Sequence, residues 1–112
     1  MSKLVNTNIK ENRPPLQEMQ ARAAEVAVQL GLLSNPSRLM VLCYLLEGEL
    51  SVGMLQSRLD LSQSALSQHL AKLRDADMVA TRREQQSIFY RIADPRVYEM
   101  IEALYQIYCV TD

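Results

Sequence analysis

The chain has 112 residues, 48% of them hydrophobic, and a formal net charge of −1 at pH 7. One domain with an ordinary globular composition is expected, and that composition argues against disorder of the chain as a whole. No apolar run approaches the roughly 18 residues of a membrane span, and residues 1–11 lack the apolar stretch of a secretory signal, so no membrane partner is expected and the cytoplasm is the expected setting.

A domain this small buries a thin core, which makes a homodimer plausible before any motif is read. The near-neutral charge counts against a nucleic-acid binder unless the basic residues are gathered locally. They are: between residues 61 and 74 the charged residues are Lys72 and Arg74, and residues 81–91 carry Arg82, Arg83 and Arg91 against Glu84. The C-terminal part holds Glu99, Glu102 and Asp112. A basic face on a near-neutral protein is therefore possible.

Residues 1–15 are polar, lack a steady period and end in Pro14-Pro15, which reads as a flexible arm. The domain proper is expected over residues 16–112. Met19, Ala23, Val26, Leu30 and Leu33 recur at steps of three and four, so a helix is expected from Leu16 to about Leu33. Asn35-Pro36 reads as a cap and first helical residue of a second helix, with Leu39, Leu42, Cys43 and Leu46 on one face and Gly48 ending it. Ser51 caps a short third helix, Asp60-Leu61 makes a tight turn, and Ser62 caps a fourth helix from Gln63 to about Arg74, with Leu66, Leu70 and Leu73 inward.

The period then changes to two. Residues 78–83 and 87–92 read as strands around the polar Glu84-Gln85-Gln86, a β-hairpin. Asp94-Pro95 opens a last helix along which Val97, Ile101, Leu104 and Tyr108 form a stripe suited to a dimer interface. The order is five helices with a hairpin before the last, a mainly α winged helix-turn-helix with dimerising terminal helices.

The outer face of the fourth helix offers Gln63, Ser64, Ser67 and Gln68, amides and hydroxyls without a carboxylate that phosphate would repel. Amides pair with adenine edges in the major groove, and hydroxyls suit bases or phosphates. Arg82, Arg83, Gln85 and Gln86 of the hairpin could meet phosphate or the minor groove. A solvated helix face and a solubilising turn are the plain alternatives. The partner these features suit is double-stranded operator DNA read as an inverted repeat.

The chain has two cysteines and one histidine. His69 lies beside Leu70 and suits packing or hydrogen bonding better than metal ligation. Cys43 lies among leucines, where a thiol often serves as a small hydrophobe. Cys109 lies near the chain end, where a thiolate is accessible for reaction. An exposed thiol and a sheltered one suit a redox sensor, the first reacting and the second resolving. A disulfide needs Cα atoms about 4.4–6.8 Å apart, which periodicity does not disclose. No cofactor loop or catalytic base is visible, so neither a cofactor nor enzymatic turnover is expected.

Leu33-Ser34-Asn35-Pro36-Ser37-Arg38-Leu39, Glu49-Leu50-Ser51-Val52-Gly53 and Leu61-Ser62-Gln63-Ser64-Ala65-Leu66-Ser67-Gln68-His69-Leu70 resemble the arsenic/zinc-repressor (ArsR/SmtB) family over residues 16–109. The resemblance implies a dimeric winged-helix repressor that leaves DNA when an inducer binds. Where the arsenic-type site has cysteines, this chain has Ser51 and Gly53. Where the zinc-type site has ligands, Asp94 matches, but Arg96, Ile107 and Val110 do not, so no metal is expected at either place.

Cys43 in the second helix and Cys109 at the end of the last resemble the sulfide- and persulfide-responsive branch of the family. That resemblance implies repression relieved when reactive sulfur species or oxidants link the two by a disulfide or short polysulfide. A metal-responsive repressor with an unrecognised site, a thiol-dependent enzyme, and a winged helix that binds protein remain the alternatives.

Overall fold

The computed structural model describes residues 15–110; the arm expected over residues 1–15 lies, but for Pro15, outside the described residues. The elements in chain order are α1 (Leu16–Leu33), α2 (Pro36–Leu45), β1 (Leu50–Ser51), α3 (Val52–Arg58), α4 (Gln63–Asp75), β2 (Val79–Glu84), β3 (Ser87–Ile92) and α5 (Pro95–Cys109). This is a winged helix-turn-helix with five helices and a small antiparallel sheet.

Four helix starts are set by short polar side chains that satisfy otherwise unpaired backbone N–H groups. Asn35 accepts from the Arg38 N–H at 3.0 Å, Ser51 from Met54 at 3.1 Å, Ser62 from Ala65 at 3.1 Å and Asp94 from Arg96 at 2.9 Å. Pro36 and Pro95 stand in the first turns of α2 and α5, where their missing N–H costs nothing. After α2 the chain turns at Gly48, whose φ of 129° is open to glycine and not to an L side chain.

The exit from α4 is a paired-carbonyl cap. Asp77 takes a left-handed conformation with φ of 58°, its N–H donates to the Arg74 carbonyl at 2.9 Å, and the Met78 N–H donates to the Leu73 carbonyl at 3.0 Å. Met78 and Leu73 are both fully buried, so the polar cap is backed by an apolar contact.

The sheet has the order β1-β3-β2. The hairpin pairs Val79 with Ile92 through to Glu84 with Ser87, leaving Gln85-Gln86 as a two-residue tip. On the other edge of β3, Leu50 pairs with Tyr90 and Ser51 with Phe89. This third strand escapes the sequence pattern because two residues are too few to show a period. The core draws on every layer: Val41, Leu42 and Leu45 from α2, Leu55 from α3, Leu66, Leu70 and Leu73 from α4, Met78 and Val79 beside the wing, and Val97 and Ile101 from α5. No polar or charged side chain is buried among the described residues.

The interface stripe expected along the last helix requires a correction. Val97 and Ile101 have 0% exposure and belong to the protomer's own core, and Leu104 packs against that core. The periodicity was that of a helix packing on its own domain. Of the four, Tyr108 faces outward, at 77% exposure, with Tyr105 and Ile107 beside it. On α1, Leu33 alone is buried, while Leu16, Met19, Val28 and Leu30 stand exposed. Among the described residues no single helix is long and apolar enough to cross a membrane.

Candidate nucleic-acid interface and thiol pair

On α4 the apolar residues Leu66, Leu70 and Leu73 anchor the helix inward, and Gln63, Ser64, Ser67 and Gln68 are all exposed. The first turn carries no acidic residue, and the last carries Lys72 and Arg74. Between α4 and the wing lies an open cleft of about 650 Å3. Gln63, Ser67 and Arg74 of α4 line it together with Gln86 and Ser87 of the wing, and Ser51 and Gly53 also contribute to the lining. Asp75 is the carboxylate on its lining. Gln63, Ser67 and Gln86 are therefore brought together. Ser64 and Gln68 lie along the same helix, Gln85 is at the wing tip, and Arg83 is exposed on β2.

Arg74, Ser87 and Gly53 line the cleft, though the sequence reading did not name them as DNA-contact residues. Arg74 had a readable signal: it lies seven positions, two helical turns, after Ser67. Ser87 adjoins Gln86 at the wing tip, whereas Gly53 had no signal, because the cleft joins segments far apart in the chain.

Arg82 is engaged within the protein. Its Nε donates to both carboxylate oxygens of Glu49, at 2.8 and 2.9 Å, and its Nη2 lies 2.8 Å from Glu49 Oε1. Its Nη1 donates to Glu84 at 3.1 Å, and the guanidinium lies 4.7 Å from the centre of the Phe89 ring. Hydrogen bonds to Glu49, then to Glu84, raise its pKa.

His69 is partly buried on α4. Its Nδ1 lies 3.4 Å from Nη1 of Arg38; an arginine can only donate, so the imidazole accepts there and is neutral. Burial first, then the charges of Arg38 and Lys72, lower its pKa. Arg38 Nε donates to the Leu32 carbonyl at 2.9 Å, which ties the end of α1 to α2 and, through His69, to α4.

Cys43 is partly buried on α2 and Cys109 is exposed at the last residue of α5, both as free thiols. The pKa of Cys43 is raised, by burial first and then by negative charge on Cys109. The helices that carry the two thiols pack against each other, a relationship that sequence could not supply. An open pocket of about 450 Å3 between α2 and α5 reaches Cys43 and is lined by Met40, Tyr44, Tyr98, Tyr105, Glu47 and Glu102 among others.

At the places compared with metal sites, the side chains have other partners. Ser51 caps α3, and Arg96 donates to Asp94 at 2.9 Å and to Glu25 at 2.8 Å. Hydrogen bonds from Arg96 lower the pKa of Asp94. Among the described residues, no group of three His, Cys, Asp or Glu side chains could hold a metal ion.

A polar, acid-poor helix face beside a two-stranded wing, on a helix-turn-helix frame, is that of a DNA-binding transcriptional regulator. Residues 35–81 match the model described as bacterial regulatory protein, arsR family, and this chain belongs to the arsR family. It is 50% identical over 98 residues to the biofilm growth-associated repressor of Agrobacterium fabrum, covering 88% of this chain and 84% of that one. It is 53% identical over 94 residues to the transcriptional activator HlyU of Vibrio cholerae, covering 84% and 87%. Among solved structures, the transcriptional repressor BigR from Xylella fastidiosa superposes with a TM-score of 0.81 at 43% identity, covering 88% of this chain and 100% of that one. These relatives are regulators rather than enzymes, and so is this protein.

Proposed function

We propose that this protein is a homodimeric repressor of its operator, released when Cys43 and Cys109 become covalently linked. Gln63, Ser64, Ser67 and Gln68 of α4 would enter the major groove. Arg83, Gln85 and Gln86 of the wing would flank the phosphates. Two copies would place their reading helices about 34 Å apart, one turn of an inverted repeat. The outward apolar residues of α1 and α5 support pairing of copies, since Met19, Leu30, Tyr105, Ile107 and Tyr108 are large side chains without cover in the single chain. A repressor reading fits the names of the Agrobacterium and Xylella relatives, whereas the Vibrio relative is named an activator.

The observation that carries the sensing is the pair of thiols on helices that pack together, one exposed and one sheltered. With a low-molecular-weight persulfide RSSH, the Cys109 thiolate attacks the outer sulfur, giving the Cys109 persulfide and RS−. The Cys43 thiolate then attacks the Cys109 sulfur and expels HS−. Two protein thiols and RSSH thus become a disulfide, RSH and H2S. With a peroxide, Cys109 is first oxidised to the sulfenic acid and Cys43 displaces water. Further persulfide sulfur retained between the two would give a polysulfide bridge.

A covalent tie between α2 and α5 alters how the reading helices sit relative to the outer faces of α1 and α5. A difference of about 1.4 kcal/mol between the two forms weakens binding tenfold. The test is fluorescence anisotropy on the protein's own promoter DNA, reduced and after polysulfide treatment. Tight reduced binding that collapses on treatment and returns with a dithiol is the expected result. Indifference to treatment, or full response in both Cys43→Ser and Cys109→Ser, would refute the sensing.

A further inference from the structure

Arg82 and Phe89 are direct partners across β2 and β3, and Ser51 pairs with Phe89 on the other side of β3. The Arg82 side chain therefore crosses the middle strand. It starts on one edge of the sheet, passes over the Phe89 ring and ends on Glu49, which immediately precedes the opposite edge strand β1. The fork is closed by both Glu49 oxygens, and the remaining nitrogen is held by Glu84. Guanidinium geometry suits this bidentate grip and the ring face together, and an ammonium does not.

Taking the DNA-binding reading as its premise, we infer that Arg82 is a positioning residue that clamps the wing to the body of the domain through Glu49, and that the wing's phosphate contact falls to Arg83. Glu49 lies in the linker that leads into β1 and α3, so the clamp sets the angle between the wing and the helix-turn-helix, and with it the cleft where Gln63 and Ser67 face Gln86. Arg83 is exposed on the neighbouring position of β2, whose side chain points to the opposite face of the ribbon.

A residue that only positions the wing releases no counterions when DNA binds, whereas a phosphate contact does. Operator affinity is to be measured against salt concentration for four variants. Arg82→Ala is expected to weaken binding about threefold to tenfold with an unchanged salt slope, while Arg83→Ala lowers the slope by about 0.9. Glu49→Gln is the sharper variant. Removing a carboxylate from a DNA-facing protein should tighten binding on charge alone, but the clamp requires it to weaken binding about as Arg82→Ala does. Arg82→Lys keeps the charge and loses the fork, so it should not restore affinity.

A slope that falls in Arg82→Ala, tighter binding in Glu49→Gln, or wild-type affinity in Arg82→Lys each overturns the inference. Amide hydrogen exchange of β2 and β3 without DNA gives an independent reading. It should quicken in both Arg82→Ala and Glu49→Gln, and unchanged exchange overturns the clamp. If the wild-type protein fails to bind DNA while these wing amides respond, it is the functional reading that falls and the clamp that stands.

Discussion

Nη1 of Arg38 on α2 stands 3.4 Å from Nδ1 of His69 on α4. This contact joins the helix that carries one thiol to the helix that carries the proposed DNA-reading face. It holds only while the imidazole is neutral, because a protonated His69 would face Arg38 with Lys72 also nearby.

The folded-state pKa of His69 is lowered, while the unfolded chain titrates near about 6.5. Between those two values the unfolded state binds more protons, so stability rises with pH there. The contribution is complete above about 7.5 and is lost as pH falls through 6.5 towards the depressed folded value. Urea midpoints between pH 7.5 and 5.5 should fall for the wild type. The fall should be smaller in His69→Gln, whose amide oxygen can still accept from Arg38.

Ile101 and Tyr108 should separate two kinds of stability. Ile101 is fully buried within the protomer, so Ile101→Ala should lower unfolding free energy by about 2–5 kcal/mol through the lost transfer energy and the cavity. Tyr108 is outward, so Tyr108→Ala should weaken self-association and leave the core intact. Urea unfolding at two protein concentrations, with sedimentation equilibrium, distinguishes them.

Thiol reactivity should follow exposure and charge. Cys109 should be alkylated by iodoacetamide at neutral pH at least about tenfold faster than Cys43, which burial keeps protonated. In Cys109→Ser, Cys43 should stay slow, because burial, the larger cause of its raised pKa, is unchanged. Time-resolved mass spectrometry of the alkylated peptides reads both rates. Equal rates at the two positions would contradict the described environments.

Asp77 occupies the left-handed position that closes α4. Asp77→Gly removes the steric cost of that conformation and should stabilise the fold by about 0.5–1 kcal/mol. Calorimetry should show Tm raised by roughly 2–5 °C. Asp77→Val, β-branched at the same φ, should lower it.

Local chemistry was legible in the sequence and spatial partnership was not. The caps at Asn35, Ser51, Ser62 and Asp94 act over two or three residues, and each stands where the pattern put it. The stripe Val97-Ile101 shows that periodicity marks an apolar face without saying what covers it; here the protomer's own core does. Glu49 lies 33 positions before Arg82, and no spacing rule brings a side chain across an intervening strand. Cys43 and Cys109 are related by the packing of α2 against α5, for which the sequence offered only family likeness.

The two cysteines also bracket the chain in a particular way: α3, α4 and the whole wing lie between them. A bond between Cys43 and Cys109 would therefore thread the entire reading head onto a closed loop of about 65 residues, which on chain-entropy grounds restricts the unfolded ensemble by ~4 kcal/mol. The form that lets go of DNA would then resist unfolding and proteolysis better than the form that grips it. An encounter with oxidant or reactive sulfur would leave behind a long-lived, refoldable pool awaiting reduction, so that silencing can resume without new synthesis.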